Sequence, residues 1–171
     1  VTFTVYSSGE GIEKIFPFDV VPRIITAPEW IHIENGIKQR LKALNIFLKD
    51  IYHQQFIIKD GIIPAKLIYS CPNFLREMMH VDVPFDIYTH ISGVDLIRDY
   101  DGQFYVLEDN LRTPSGVSYM LENREITKRV LPELFENYSI QPVDDYPSRL
   151  HSTLASLSPR ALRRPCIVVL T

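Results

Sequence analysis

Apolar positions along the chain change their period several times, and each change marks an expected element. Residues 2–6 and 12–16 read as strands, rich in β-branched and aromatic residues, around Ser7-Ser8-Gly9-Glu10-Gly11, which predicts a hairpin with a glycine-rich tip. Phe18-Asp19-Val20-Val21-Pro22-Arg23 reads as an extended segment, since its prolines disfavour helix. From Thr26 to about Gln54 the period becomes helical: Trp30, Ile33, Ile37, Leu41, Leu44, Leu48 and Ile51 recur three or four apart. Thr26-Ala27-Pro28-Glu29 has the form of a capping box with proline in the first turn. Lys38, Arg40, Lys42 and Lys49 are assigned to the outer, solvated face, and Gly36 offers a break point. The runs beside Asp60-Gly61 suggest a second small hairpin, while Pro64–Tyr69 and Pro72–Met79 suggest short helices.

The most informative run is Gly93 to Asn110, where Asp101-Gly102 separates two apolar-rich strands. A two-residue turn there makes the numbers of cross-strand partners sum to 203, so Asp95 faces Glu108. Alternation then places Asn110 on the face of Glu108. Like charges directly opposite are destabilising, and a hard divalent cation reverses that sign. A longer loop would shift the register and separate the pair, leaving ordinary solvated carboxylates.

Leu111-Arg112-Thr113-Pro114-Ser115-Gly116 follows, then a helix from Val117 to about Lys128. The fixed fork of Arg112 suits a phosphate or carboxylate. Ser115, Gly116 and the first free helix amides form a candidate anion cradle, whose bland alternative is an ordinary strand-to-helix loop. His90, on the extended stretch before Asp95, is a candidate phosphate contact or proton shuttle. Arg98 alternates away from Asp95, and Glu122 is a candidate to orient Arg112 or Ser115. Pro132–Phe135 and Pro147–Leu157 read as further short helices.

VDLIRDYDGQFYVLEDNLRTPSG resembles the C-terminal half of an ATP-grasp domain. Together with IFPFDVVPRI, IKQRLKALNIFLKDIY and VLEDNLRTPSGVSYMLENR, it resembles the circularly permuted ATP-grasp proteins labelled glutathionylspermidine-synthase-like. The resemblance implies an α/β (α+β) fold, an antiparallel sheet with packed helices, present as a partial domain. It implies that Asp95, Glu108 and Asn110 hold Mg2+ at the phosphates of ATP, and that the reaction joins a carboxylate to an amine through an acyl phosphate. Residues 1–162 would be the metal-binding half and 163–171 the first strand of a following domain. Two positions depart from the glutathionylspermidine synthases: Gly93 stands where they carry arginine, and Arg112 where they tend to be acidic. Gly93 is the best support for the alternative, a non-catalytic binding or partner-recognition module. A magnesium-dependent phosphoesterase would need a further acidic ligand or base.

Composition narrows the class. The 171 residues are 46% hydrophobic and 23% charged with net charge −3, an ordinary globular balance with length enough for a real core. There is no basic run for nucleic acid, no apolar stretch of membrane-spanning length and no signal-peptide pattern, so a cytoplasmic protein is expected. Cys71 and Cys166 lie far apart and are expected as buried free thiols. Cys166-Ile-Val-Val-Leu-Thr171 reads as a buried parallel strand.

Overall fold

The structure is a computed structural model that describes residues 2–7, 10–158 and 165–168. In chain order its elements are β1 (Thr2–Ser7), β2 (Glu10–Ile15), α1 (Ala27–Tyr52), α2 (Phe56–Lys59), α3 (Ala65–Tyr69), β3 (Gly93–Arg98), β4 (Phe104–Asn110), α4 (Val117–Val130), α5 (Pro132–Asn137) and α6 (Tyr146–Ser156). Two 3-10 turns, Arg76–Met78 and Pro84–Asp86, precede β3. The fold is thus mixed α/β with two small antiparallel sheets, β1–β2 and β3–β4. The chain divides into two compact units, Val1–Ile24 with Ser115–Thr171, and Ile25–Pro114.

In the unit Ile25–Pro114, α1 is the organising element. Glu29 Oε2 accepts hydrogen bonds from the backbone N–H and the hydroxyl of Thr26, at 2.7 and 2.8 Å, as the capping-box sequence predicts. The helix runs unbroken through Gly36, whose cost of about 1 kcal/mol relative to alanine the long helix absorbs. Ile33, Ile51 and Tyr52 are the only buried apolar residues among those described, a smaller core than the length allows. Tyr52 stacks on Phe74 at 5.0 Å and on Tyr88 at 5.9 Å, and its hydroxyl accepts the N–H of Leu75. These contacts fasten the loops before β3 to the end of α1.

The expected hairpin around Asp60-Gly61 is instead the helical turn α2. The Asp50 carboxylate accepts the N–H groups of Phe56 and Ile57 at 2.9 and 3.0 Å, satisfying amides that would otherwise start the turn unpaired. Pro72–Met79 contributes only its 3-10 turn. Among the described residues no helix is long and apolar enough to cross a membrane.

In the other unit, β1 and β2 pair in one register from Thr2 opposite Ile15 to Ser7 opposite Glu10. Ser8 and Gly9, in the glycine-rich tip, lie outside the described residues. Phe16 stacks on Tyr119 of α4 at 5.3 Å, and both line an open cleft of about 650 Å³ along residues 16–23. Asp19 and Arg23 border this cleft without forming an ion pair; Asp19 accepts the N–H of Val21. Residues 165–168 form no strand, with Cys166 and Val168 exposed, and residues 169–171 of the expected strand lie outside the described residues. Both cysteines are free as expected, but exposed, not buried.

Candidate functional site

The β3–β4 hairpin brings Asp95 opposite Glu108, and Gly93 opposite Asn110, but not by the turn the dipeptide predicts. Only Gly102 has positive φ, at 82°, so the turn is not the two-residue type with both central residues left-handed. Asp99 N–H donates to Gln103 O at 2.9 Å, and Arg98 pairs with Phe104, so the turn end has partners summing to 202. A β-bulge then shifts the register between Asp95 and Leu96: Leu96 pairs with Val106, Asp95 with Glu108, and Leu107 is the extra residue. The bulge restores at the site the register that the turn alone would have lost.

The bulge also sorts the faces. On one side lie the pairs Val94/Asp109, Leu96/Val106 and Arg98/Phe104; on the other lie Gly93/Asn110, Asp95/Glu108 and Ile97/Tyr105. The first face is tied to α1. Arg40 Nε donates to both carboxylate oxygens of Asp109 at 2.8 Å and its Nη2 lies 2.7 Å from Oδ2, while Arg98 pairs with Glu29 and lies 5.2 Å from the Phe104 ring centre. The bond from Asp109 raises the pKa of the Arg40 guanidinium, whereas Thr26 first, and Arg98 less, hold the Glu29 carboxyl below its ordinary value.

The second face carries the candidate ligands, all three exposed. Asn110 Nδ2 donates to Glu108 Oε1 at 2.9 Å, so the two side chains share a face and the amide oxygen, the atom a metal would need, points elsewhere. Asp95 makes no side-chain hydrogen bond or ion pair among the described residues. No three His, Cys, Asp or Glu side chains cluster as a metal cage there. Two carboxylates and an amide oxygen are a hard donor set with open positions, which fits a magnesium ion completed by water and phosphate oxygens.

Arg112 is exposed and donates from Nη1 to Asn73 Oδ1 at 2.6 Å, a partner that sequence reading missed. His90 stands in a bend before β3, not in the sheet, is exposed, and makes no hydrogen bond among the described residues. Gly93 has a steric reason: a Cβ there would lie 3.1 Å from Pro114 Cβ and 3.6 Å from Asn110 Cβ. Ser115 and Gly116 belong to the other unit, where Gly116 precedes α4 at φ 93° with no side-chain cap. Glu122, in the same unit, lies 3.9 Å from Arg129, and Arg124 donates to Gln141 O.

Arg40 does not share the outer face with the lysines of α1, and helical geometry shows why. At 100° per residue, Lys38, Lys42 and Lys49 lie roughly 180–220° from Glu29, but Arg40 lies only about 20° from it. Glu29 and Arg40 therefore sit in phase with Ile33 and Ile37, at charged positions along the apolar stripe.

The model of the circularly permuted ATP-grasp type 2 family matches residues 22–171. This chain belongs to that family. Similar proteins include an uncharacterised protein of Synechocystis sp., 52% identical over 171 residues, which are all of this chain and 36% of that protein. An uncharacterised protein of Mycobacterium tuberculosis is 49% identical over 161 residues, 94% of this chain and 29% of its own length. A protein of Frankia casuarinae with the provisional name glutamate–cysteine ligase is 42% identical over 166 residues, 96% of this chain and 19% of its own. The chain thus spans about a third or less of the length of these relatives.

Proposed function

We propose that this chain carries the metal-holding part of an ATP- and Mg2+-dependent carboxylate–amine ligase, glutathionylspermidine-synthase-like in its chemistry. The observation that supports it best is the pair Asp95–Glu108, opposed across a ladder that is broken to oppose them, with Asn110 on the same face. Unopposed by a cation, that pairing costs stability, so a hairpin without a ligand gains nothing from it. The family match and the ligase name of the Frankia relative agree with this reading.

In the proposed reaction a carboxylate oxygen attacks the γ-phosphorus of ATP, the bond to the leaving ADP oxygen breaks, and an acyl phosphate forms. The amine nitrogen then attacks the acyl carbon, a C–N bond forms, phosphate leaves and the nitrogen gives up a proton. Mg2+ would neutralise charge on the phosphate oxygens as the phosphoryl group moves. Asp95, Glu108 and Asn110 would hold it, and Arg112, steadied by Asn73, would bind the acyl-phosphate oxygens through its planar fork. For Ser115, Gly116 and His90 the support is sequence alone: amides suited to an anion, and a side chain five residues before Asp95.

Calorimetric titration of this chain, and of the longer Synechocystis relative, with ADP in the presence and absence of Mg2+ tests the proposal. Mg2+-dependent binding that disappears in Glu108→Gln is the expected result. A folded relative that binds no nucleotide would overturn the ligase reading and favour a partner-recognition module.

A further inference from the structure

The turn of the β3–β4 hairpin and its candidate site demand different registers. Continued without a bulge, the turn-end register would pair Asp95 with Leu107, Val94 with Glu108 and Gly93 with Asp109. A one-residue slip sends side chains to the opposite face, so Asp95 and Glu108 would point away from each other. The slipped register would also relieve the repulsion between the two carboxylates. Some interaction must hold the bulge in place against that gain.

We propose that Arg40 is a positioning residue that locks this register. It grips Asp109, the residue between Glu108 and Asn110, with three contacts of 2.7–2.8 Å. Asp109 can meet α1 only when it lies on the Val94/Leu96/Arg98 face, and that placement puts Glu108 and Asn110 on the other face with Asp95. The Arg98–Glu29 pair holds the turn end. Glu29 and Arg40 are eleven residues apart, about 16 Å along a helix, and the strand between the two attachments spans about 13 Å. Helix and hairpin are therefore joined at two points with nearly matched spacing, one on each side of the bulge. The Asp109 side chain is 13% exposed and Arg40 45%, so the clamp closes against the helix but stays reachable by solvent.

The role of the clamp in metal binding rests on the ligase reading; its role in register does not. Two measurements separate them. Register is read by disulfide trapping and peptide mass spectrometry in two cysteine pairs, Asp95→Cys/Glu108→Cys and Asp95→Cys/Leu107→Cys. With Arg40 present the first pair should cross-link several times faster, and with Arg40→Ala the preference should fall or invert. Mn2+ binding by electron paramagnetic resonance should weaken about 10-fold in Arg40→Ala, less in Arg40→Lys, and little in Arg98→Ala, the scale of a supporting residue at a metal site. Unchanged cross-linking preference in a folded Arg40→Ala would overturn the lock. Absence of Mn2+ binding by the unsubstituted chain, with the cross-linking result as expected, would count against the metal reading and leave the lock standing.

Discussion

The two hairpins of this chain are built by opposite rules. β1–β2 keeps one register over its whole length, opposes Phe3 to Lys14 and Thr4 to Glu13, and ties Thr2 to Glu13 by a 2.5 Å hydrogen bond. β3–β4 breaks its ladder between Asp95 and Leu96, opposes two carboxylates and leaves the Asp95 side chain without a hydrogen bond or ion pair among the described residues. The regular hairpin sets no like charges opposite each other; the irregular one opposes two carboxylates, at a cost in stability. Bulges and like-charge pairs mark places where a sheet serves something other than itself.

The comparison breaks most sharply on ligand response. Glu108→Gln should weaken Mg2+-dependent ADP binding by about 100-fold or more, beyond what supporting residues of a metal site usually cost. Glu13→Gln in the regular hairpin should leave it unchanged, and calorimetry reads both. Next in size is the small core of the unit Ile25–Pro114, which also carries the irregular hairpin. Ile51→Ala should cost about 3 kcal/mol in urea unfolding, since Ile51 is one of three residues forming the small core. A smaller effect has the opposite sign: Asp95→Asn should stabilise the metal-free chain by about 0.2–1 kcal/mol by removing the opposed charge, while abolishing stabilisation by Mg2+ in a thermal melt.

The smallest effect is on pH. The folded-state pKa of Glu29 is lowered, so its contribution is complete above the ordinary glutamate value of about 4.3 and is lost as pH falls through the lowered one. Melting curves of Glu29→Gln and the unsubstituted chain should therefore differ at neutral pH and converge in acid.

Much of this was legible in local sequence. The capping-box start of α1, the strands flanking Asp101-Gly102 and the placement of Asp95 opposite Glu108 with Asn110 on the same face follow from short-range chemistry. The two-residue-turn register holds at Asp95 and Glu108 and fails at the turn, because the bulge between Asp95 and Leu96 adds a residue that no alternation pattern marks. Arg40 reaches Asp109 across 69 residues of sequence, a separation invisible to any window of periodicity. Phe56–Lys59 went to helix for a similar reason, its first amides being claimed by Asp50 several residues earlier. Gly93 leaves room for the close approach of Pro114, which no propensity records.

Glu29 divides its carboxylate between two elements: Oε2 closes the first turn of α1 on Thr26, and Oε1 takes Arg98 from the turn end of the hairpin. Fraying of the helix start and release of the hairpin's turn end are therefore coupled. Backbone amides near Trp30 and near Gly102 should exchange their hydrogens with solvent at matched rates, and Glu29→Gln should quicken both together.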